Sequence, residues 1–303
     1  MVLVNIYEQL VNLVSTNNVV KNNPLKSHTY TRLGGKADYF VTPDTYKQVQ
    51  MVVKFARQER IPFTLLGNGS NLIIKDGGIR GIVMYLGKLS TIRVEGTRII
   101  AQSGALIANV SKRALDEHLT GLEFACGIPG SVGGALFMNA GAYGGEIKDV
   151  LIQAVVIDRY GEMKTVAAED LNLSYRTSNI PDNEYIVLEG EFGLQHGDYE
   201  NIKATMDDLT FKRESKQPLE YPTCGSVFKR PPGYFAGKLI QDSGLQGKQI
   251  GGAQVSLKHA GFIINKDGAT ADEYIALIEH VQHVVKEKYD VDLEREVRII
   301  GED

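Results

Sequence analysis

The chain of 303 residues is 43% hydrophobic and 23% charged and carries a formal net charge of −4 at neutral pH. It is therefore a globular protein large enough for two or three structural units, and its negative balance argues against a nucleic-acid binder without excluding a small anionic ligand held by local cations. Two cysteines, Cys126 and Cys224, are too few for a disulfide framework or a cysteine-based metal site. No stretch approaches a membrane span and the N-terminus lacks the pattern of a signal peptide, so a cytoplasmic location is expected.

In chain order, Ile6 to Val14 is spaced as an amphipathic helix, followed by the polar stretch Asn17 to Asn23. Ala37 to Thr42 alternates as a strand. Pro43-Asp44 then starts a helix over Thr45 to Arg60, with Tyr46, Val49, Val53 and Ala56 on one face, and Pro62 to Leu66 is the next strand. The three pieces predict a βαβ unit with a right-handed crossover. Directly after it, Gly67-Asn68-Gly69-Ser70-Asn71 turns at a strand's carboxyl end, where α/β sheets often place ligands. Leu72 stands where the dinucleotide fingerprint needs its third glycine, and a strand rather than a helix follows, so that label is rejected. The stretch reads either as a simple turn or as a phosphate-facing loop of another kind.

From Gly81 the pattern becomes short strands: Ile82 to Leu86, then Thr91 to Val94 and Arg98 to Ser103 around Glu95-Gly96. A helix over Leu106 to Leu119 stops near Gly121. Next comes GLEFACGIPGSVGGALFMNAGAYGG, with 8 of the chain's 32 glycines between Gly121 and Gly145. Glycine this dense costs conformational entropy, which predicts either a tight crossing of loops or backbone N–H groups turned toward an anion such as a diphosphate. Leu151 to Asp158, Met163 to Val166 and Tyr185 to Phe192 alternate again as strands. Between them lies Ser174-Tyr175-Arg176-Thr177-Ser178, where the arginine is either a surface residue or a carboxylate clamp.

A polar break at Gln195 to Tyr199 precedes a helix from Ile202 to about Ser215. An extended piece then leads to Cys224-Gly225-Ser226-Val227-Phe228-Lys229-Arg230. A thiol and a hydroxyl two residues apart share a face on a regular strand, so spacing does not choose between them as an acid. Ala236 to Ser243 and Thr270 to Lys288 read as helices, and Ile250 to Val255, Phe262 to Asn265 and Val291 to Ile300 as strands. His280 and His283 lack a third ligand and are expected on a solvated helix face. Glu296 lies on a strand face with Glu294 and Arg298, and would need a specific partner if that face were covered.

The two glycine-rich segments, GNGSN after a βαβ unit and GLEFACGIPGSVGGALFMNAGAYG, resemble the diphosphate-cradling loops of the flavin domain shared by vanillyl-alcohol oxidase and p-cresol methylhydroxylase. With SYRTS, GSVFKRP and LEREVRIIG in that order, the chain from His28 onward resembles the UDP-N-acetylenolpyruvoylglucosamine reductase family. The resemblance implies an α+β fold: a two-subdomain FAD-binding module of the p-cresol methylhydroxylase type, residues 1–80 and 81–197, followed by a C-terminal α+β substrate-binding domain, 198–303. It implies noncovalent FAD, held by Gly67, Asn68, Gly69, Ser70, Asn71, Gly127, Ile128, Pro129, Gly130, Ser131, Gly133, Gly134, Ala135 and Gly141, with NADPH as cosubstrate. Ser226 becomes the proton donor, Arg176 and Glu296 the groups at the substrate's carboxylate, and Tyr175, Lys216, Arg230 and Gln249 contacts to UDP-N-acetylglucosamine enolpyruvate. No metal, no nucleic acid, no membrane insertion and no obligate protein partner are implied. Some members carry an inserted tyrosine lid, for which there is no room between Asp158 and Phe192, so the shorter class is expected. A flavin oxidase of the same fold and a noncatalytic nucleotide-binding protein are the rival readings. The first often links its flavin to a histidine, and this glycine stretch has none; the second leaves Arg176, Ser226 and Glu296 without a purpose.

Overall fold

The structure, a computed structural model, describes residues 5–303. The chain folds into two compact units, one from the segments up to residue 22, 38–68 and 81–212, the other from 23–37, 69–80 and 213–303.

In the first unit, the helices Ile6–Val14 and Tyr46–Gln58 form where apolar residues recur at helical spacing and a side chain satisfies the first turn. Thr45 caps the second by accepting from the Gln48 N–H at 3.2 Å. Its buried face, Val49, Val52, Val53 and Ala56, packs with Leu10, Val14, Val41, Ile82 and Met84 into one core. The strands Lys36–Val41 and Phe63–Leu66 flank this helix in sequence, yet they are not neighbours in the sheet. Ile79–Tyr85 lies between them and runs parallel to Phe63–Leu66. That strand is buried along most of its length, so it takes the position that water reaches least.

A second, antiparallel sheet has the order Met163–Ala167, Leu151–Ile157, Ile186–Gly193, Arg98–Gln102, Ile92–Glu95. Its alternation is the expected one: Ala154, Val156, Val187, Ile99 and Ala101 enter a core shared with the helices Ile107–Asp116 and Val132–Phe137. On the other face, Glu189 and Glu191 pair with Arg93 and Arg98 at 3.2 and 2.8 Å.

The second unit packs the helices Ala236–Asp242 and Ala271–Tyr289 on a four-stranded sheet ordered Thr223–Ser226, Phe262–Asn265, Ala253–Val255, Gln249–Ile250. The longer helix starts in a capping box between Thr270 and Glu273 and buries Tyr274, Leu277, Ile278, Val281 and Val285. Two expected strands are shorter than their sequence pattern. Ile250 to Val255 is a hairpin turning at Gly251-Gly252, because the Gly252 N–H is drawn to the Glu273 carboxylate at 3.0 Å. Val291 to Ile300 keeps a bridge between Phe228 and Arg295 and the strand Arg298–Ile300, which runs parallel to Leu72–Ile74. His283 pairs with Glu287 at 3.3 Å along its own helix. Among the described residues no helix is long and apolar enough to cross a membrane, and no group of three or more His, Cys, Asp or Glu side chains could hold a metal ion.

Candidate active site

In the first unit the beginning of one glycine loop meets the other. Asn68 Nδ2 donates to the Pro129 carbonyl at 2.6 Å. A β-carbon at Gly67 would stand 3.4 Å from Ser131 Oγ and 4.0 Å from Gly134 Cα. Ser131 caps the helix Val132–Phe137, its Oγ accepting from the Gly134 N–H at 3.3 Å. The loop is pinned along one side by Ile107 N to Gly130 O, Val132 N to Ala105 O and Gly133 N to Ser103 O, at 3.0, 2.8 and 2.9 Å.

The three glycines at this junction differ in what forbids a side chain. A β-carbon on Gly133 would lie 2.1 Å from Ser103 Oγ, so a side chain there requires that buried hydroxyl to move. Gly67 and Gly134 have no left-handed φ, and a β-carbon on either would make only ordinary contacts. Neither packing within the chain nor backbone conformation demands glycine at these two positions, which fits a dinucleotide whose phosphates must approach backbone closely. In the second unit, Gly69 has φ +66° and lies against the His28 carbonyl, while Asn71 Nδ2 donates to the Glu296 carbonyl at 3.1 Å.

Arg176 occupies a two-residue turn closed by Ser174 N to Thr177 O and Thr177 N to Ser174 O, both 3.1 Å, with its own φ at +57°. A non-glycine residue in the left-handed region is uncommon and is held only by its surroundings. Arg176 Nη2 donates to the Gly141 carbonyl at 2.8 Å, and the guanidinium carbon lies 5.2 Å from the centre of the half-exposed Tyr175 ring. Gly141 pairs with Glu146 across a short hairpin. Lys148, hydrogen-bonded to Glu146 at 2.9 Å, is the main cause holding that carboxyl below its ordinary range, with Asn139 and the Arg176 charge acting in the same direction.

In the second unit, Ser226 and Glu296 come together through backbone pairing. The Glu296 N–H donates to Val227 O at 2.8 Å, and Lys229 N to Glu294 O at 2.9 Å. Gly225 has φ +81° and the strand register shifts between Thr223 and Ser226, so the strand is not regular where spacing left two candidates. Cys224 is buried and its thiol is pushed up to about 11 by burial, whereas Ser226 is exposed. Gly261 flanks this hydroxyl: a β-carbon there would lie 3.4 Å from Ser226 Oγ and 3.3 Å from His259 Nδ1. Neither Gly261 nor His259 was singled out by sequence, because their place beside Ser226 depends on strand pairing. The neighbouring cations are engaged elsewhere, Lys229 with Glu294 at 2.5 Å and Arg230 over the Phe235 ring at 4.0 Å. Lys216 ends the helix Tyr199–Lys216, and Gln249 Nε2 bonds Gly251 O at 2.8 Å and Asp267 at 3.2 Å.

Two glycine loops that meet in the first unit fit the class of flavin-dinucleotide oxidoreductases. The models of known families agree: residues 37–167 match an FAD binding domain and 217–300 the C-terminal domain of UDP-N-acetylenolpyruvoylglucosamine reductase. The chain is 65% identical to the UDP-N-acetylenolpyruvoylglucosamine reductase of Oceanobacillus iheyensis over 298 residues, 98% of this chain and 97% of the relative. It is also similar to the crystal structure of the enzyme from Thermus caldophilus, with a TM-score of 0.80 and 33% identity over 93% of this chain and 97% of that one. A grass pollen allergen with glucose dehydrogenase activity, Phl p 4, shares only the fold, with a TM-score of 0.51 and 15% identity over 63% of this chain and 44% of its own. The chain therefore belongs to the UDP-N-acetylenolpyruvoylglucosamine reductase family. It is an FAD enzyme that uses NADPH to reduce the enolpyruvyl group of UDP-N-acetylglucosamine enolpyruvate to UDP-N-acetylmuramate, in peptidoglycan precursor synthesis.

Proposed function

We propose that within this reaction Ser226 delivers the proton, while Arg176 and Glu296 stabilise the charge that precedes it. FAD, when bound, supplies the hydride, which goes to the enol-ether carbon distal to the carboxylate. Negative charge then develops as an enediolate next to that carboxylate and must be stabilised and protonated. Arg176 presents a planar, cationic fork of donors to a carboxylate. A protonated Glu296 donates a further hydrogen bond, and Ser226 Oγ gives its proton to the carbon that bears the carboxylate. The observation that carries this reading is the irregular strand at Gly225, which buries Cys224 and leaves Ser226 exposed beside the Glu296 backbone.

Gly67 to Asn71, Gly127 to Ala135 and Gly141 would hold the flavin, with residues 1–80 and 81–197 as the flavin-binding subdomains and 198–303 as the substrate-binding domain. Tyr175, Lys216, Arg230 and Gln249 would contact the sugar nucleotide. Noncovalent attachment is supported by the glycine stretch, where Cys126 Sγ is hydrogen-bonded to Met206 O at 3.7 Å and no histidine is present. The reading includes a cytoplasmic location and no obligate protein partner.

Stopped-flow absorbance of the flavin separates the two halves of the cycle. Ser226→Ala should leave anaerobic bleaching by NADPH nearly intact and slow reoxidation by the enolpyruvyl substrate by a factor on the order of 10² or more. Cys224→Ala should leave both steps close to wild type. A slow Cys224 variant beside an active Ser226 variant would place the acid on the wrong residue.

A further inference from the structure

The side chain that fixes the Arg176 turn is a buried asparagine far from it in sequence. Asn139 is fully buried, with φ +41°. Its backbone position follows from helix termination: the Asn139 N–H reaches Leu136 O at 3.2 Å and the Ala140 N–H reaches Ala135 O at 2.8 Å, closing the helix Val132–Phe137 with a left-handed residue. Glycine serves that purpose at no steric cost, so capping does not explain the carboxamide. Three side-chain bonds do. Asn139 Nδ2 donates to Glu146 Oε2 at 2.9 Å and to the Ser174 carbonyl at 3.0 Å, and its Oδ1 accepts from the Lys148 N–H at 2.9 Å.

These bonds tie together the two pieces of chain that hold Arg176. Ser174 O closes the turn that contains Arg176, and Glu146 pairs directly with Gly141, whose carbonyl receives Arg176 Nη2. We propose that Asn139 is a positioning residue for the reaction, which holds the turn Ser174 to Thr177 and the hairpin Gly141 to Glu146 in one register so that the Arg176 fork meets the substrate's carboxylate. The inference rests on the reading that Arg176 faces that carboxylate. An arginine fork is directional, and a displacement of the turn by about 1 Å misaligns both of its hydrogen bonds.

The test compares calorimetric affinity for UDP-N-acetylmuramate, which carries the carboxylate, with affinity for UDP-N-acetylglucosamine, which lacks it. Asn139→Gly keeps the left-handed backbone and removes only the side chain. In the flavin-loaded protein it should weaken binding of UDP-N-acetylmuramate on the order of tenfold and leave UDP-N-acetylglucosamine unchanged. In an Arg176→Ala background the same change should cost nothing further, because Asn139 then has nothing to position. Asn139→Asp, nearly the same shape but without the two donors, should behave as Asn139→Gly and serves if the glycine variant fails to fold. Equal loss for both ligands, or an undiminished loss in the Arg176→Ala background, would overturn the proposal. If Arg176→Ala alone leaves the preference for the carboxylate intact, the assignment of Arg176 fails first and the proposal falls with it.

Discussion

One glycine decides which side chain between Thr223 and Ser226 is available to chemistry. With Gly225 at φ +81°, Cys224 turns into the core, where its sulfur lies 3.4 Å from the Tyr274 hydroxyl, and that hydroxyl donates to Ile263 O at 2.5 Å. Since the tyrosine proton is used there, the thiol donates to the tyrosine oxygen and keeps its hydrogen. Burial raises the thiol from its ordinary 9.0 to about 11 and raises Tyr274 as well. A group whose folded pKa is raised contributes stability that is complete below the unfolded value and is lost as pH rises through the folded one. Denaturant midpoints should therefore fall between about pH 9 and pH 11, less steeply in Cys224→Ala, and a flat alkaline limb in the wild type would contradict the burial of these groups. At neutral pH, iodoacetamide should label Cys126, which is partly exposed, and spare Cys224 until the protein unfolds. Mass spectrometry of the labelled peptides distinguishes the two sites.

The glycine loops act as elements, and their glycines fall into two kinds that a substitution pair separates. Gly134 lies inside the helix Val132–Phe137, and a β-carbon there meets only Ser131 Oγ, at 3.5 Å. Alanine at this position should favour the helix by up to about 1 kcal/mol while placing a methyl group where the diphosphate is proposed to approach the backbone. Gly134→Ala is thus expected to give an apoprotein at least as stable as wild type that binds FAD weakly, whereas Gly133→Ala should destabilise the apoprotein itself by colliding with Ser103. Thermal melts of both apoproteins, read with the ratio of flavin to protein after gel filtration, check each half. Full flavin occupancy in Gly134→Ala would remove these loops from the cofactor site.

At the scale of the whole molecule, the cofactor is part of the folding balance. A ligand that binds only the native state adds about 2.7 kcal/mol when present at 100 times its Kd, which for a chain of this size moves the melting temperature by on the order of a few degrees. Melts of flavin-free protein should accordingly rise with added FAD in the wild type. The same series in Gly134→Ala should stay flat over the concentrations that saturate the wild type. A rise of equal size in the variant would mean that FAD is held elsewhere.

Much of this molecule is written locally in its sequence. The helices Tyr46–Gln58 and Ala271–Tyr289 could be read because their caps, Thr45 and Thr270, and the periodicity of their buried residues lie within a few turns of each other. The strands of the antiparallel sheet alternate for the same reason, and the glycine stretches, SYRTS, GSVFKRP and LEREVRIIG carry the family's motifs in the sequence itself. Tertiary structure decided what depends on partners far along the chain. It placed Ile79–Tyr85 between the two strands that flank the helix Tyr46–Gln58, spent the Asn71 amide on the Glu296 carbonyl and set Gly133 against Ser103. It also broke the strand that would have set Cys224 and Ser226 on one face, and joined Asn139 to Glu146 and Ser174. Periodicity and capping report interactions within one element, and a hydrogen bond between residues 35 or 225 positions apart exists only once packing has brought their backbones together.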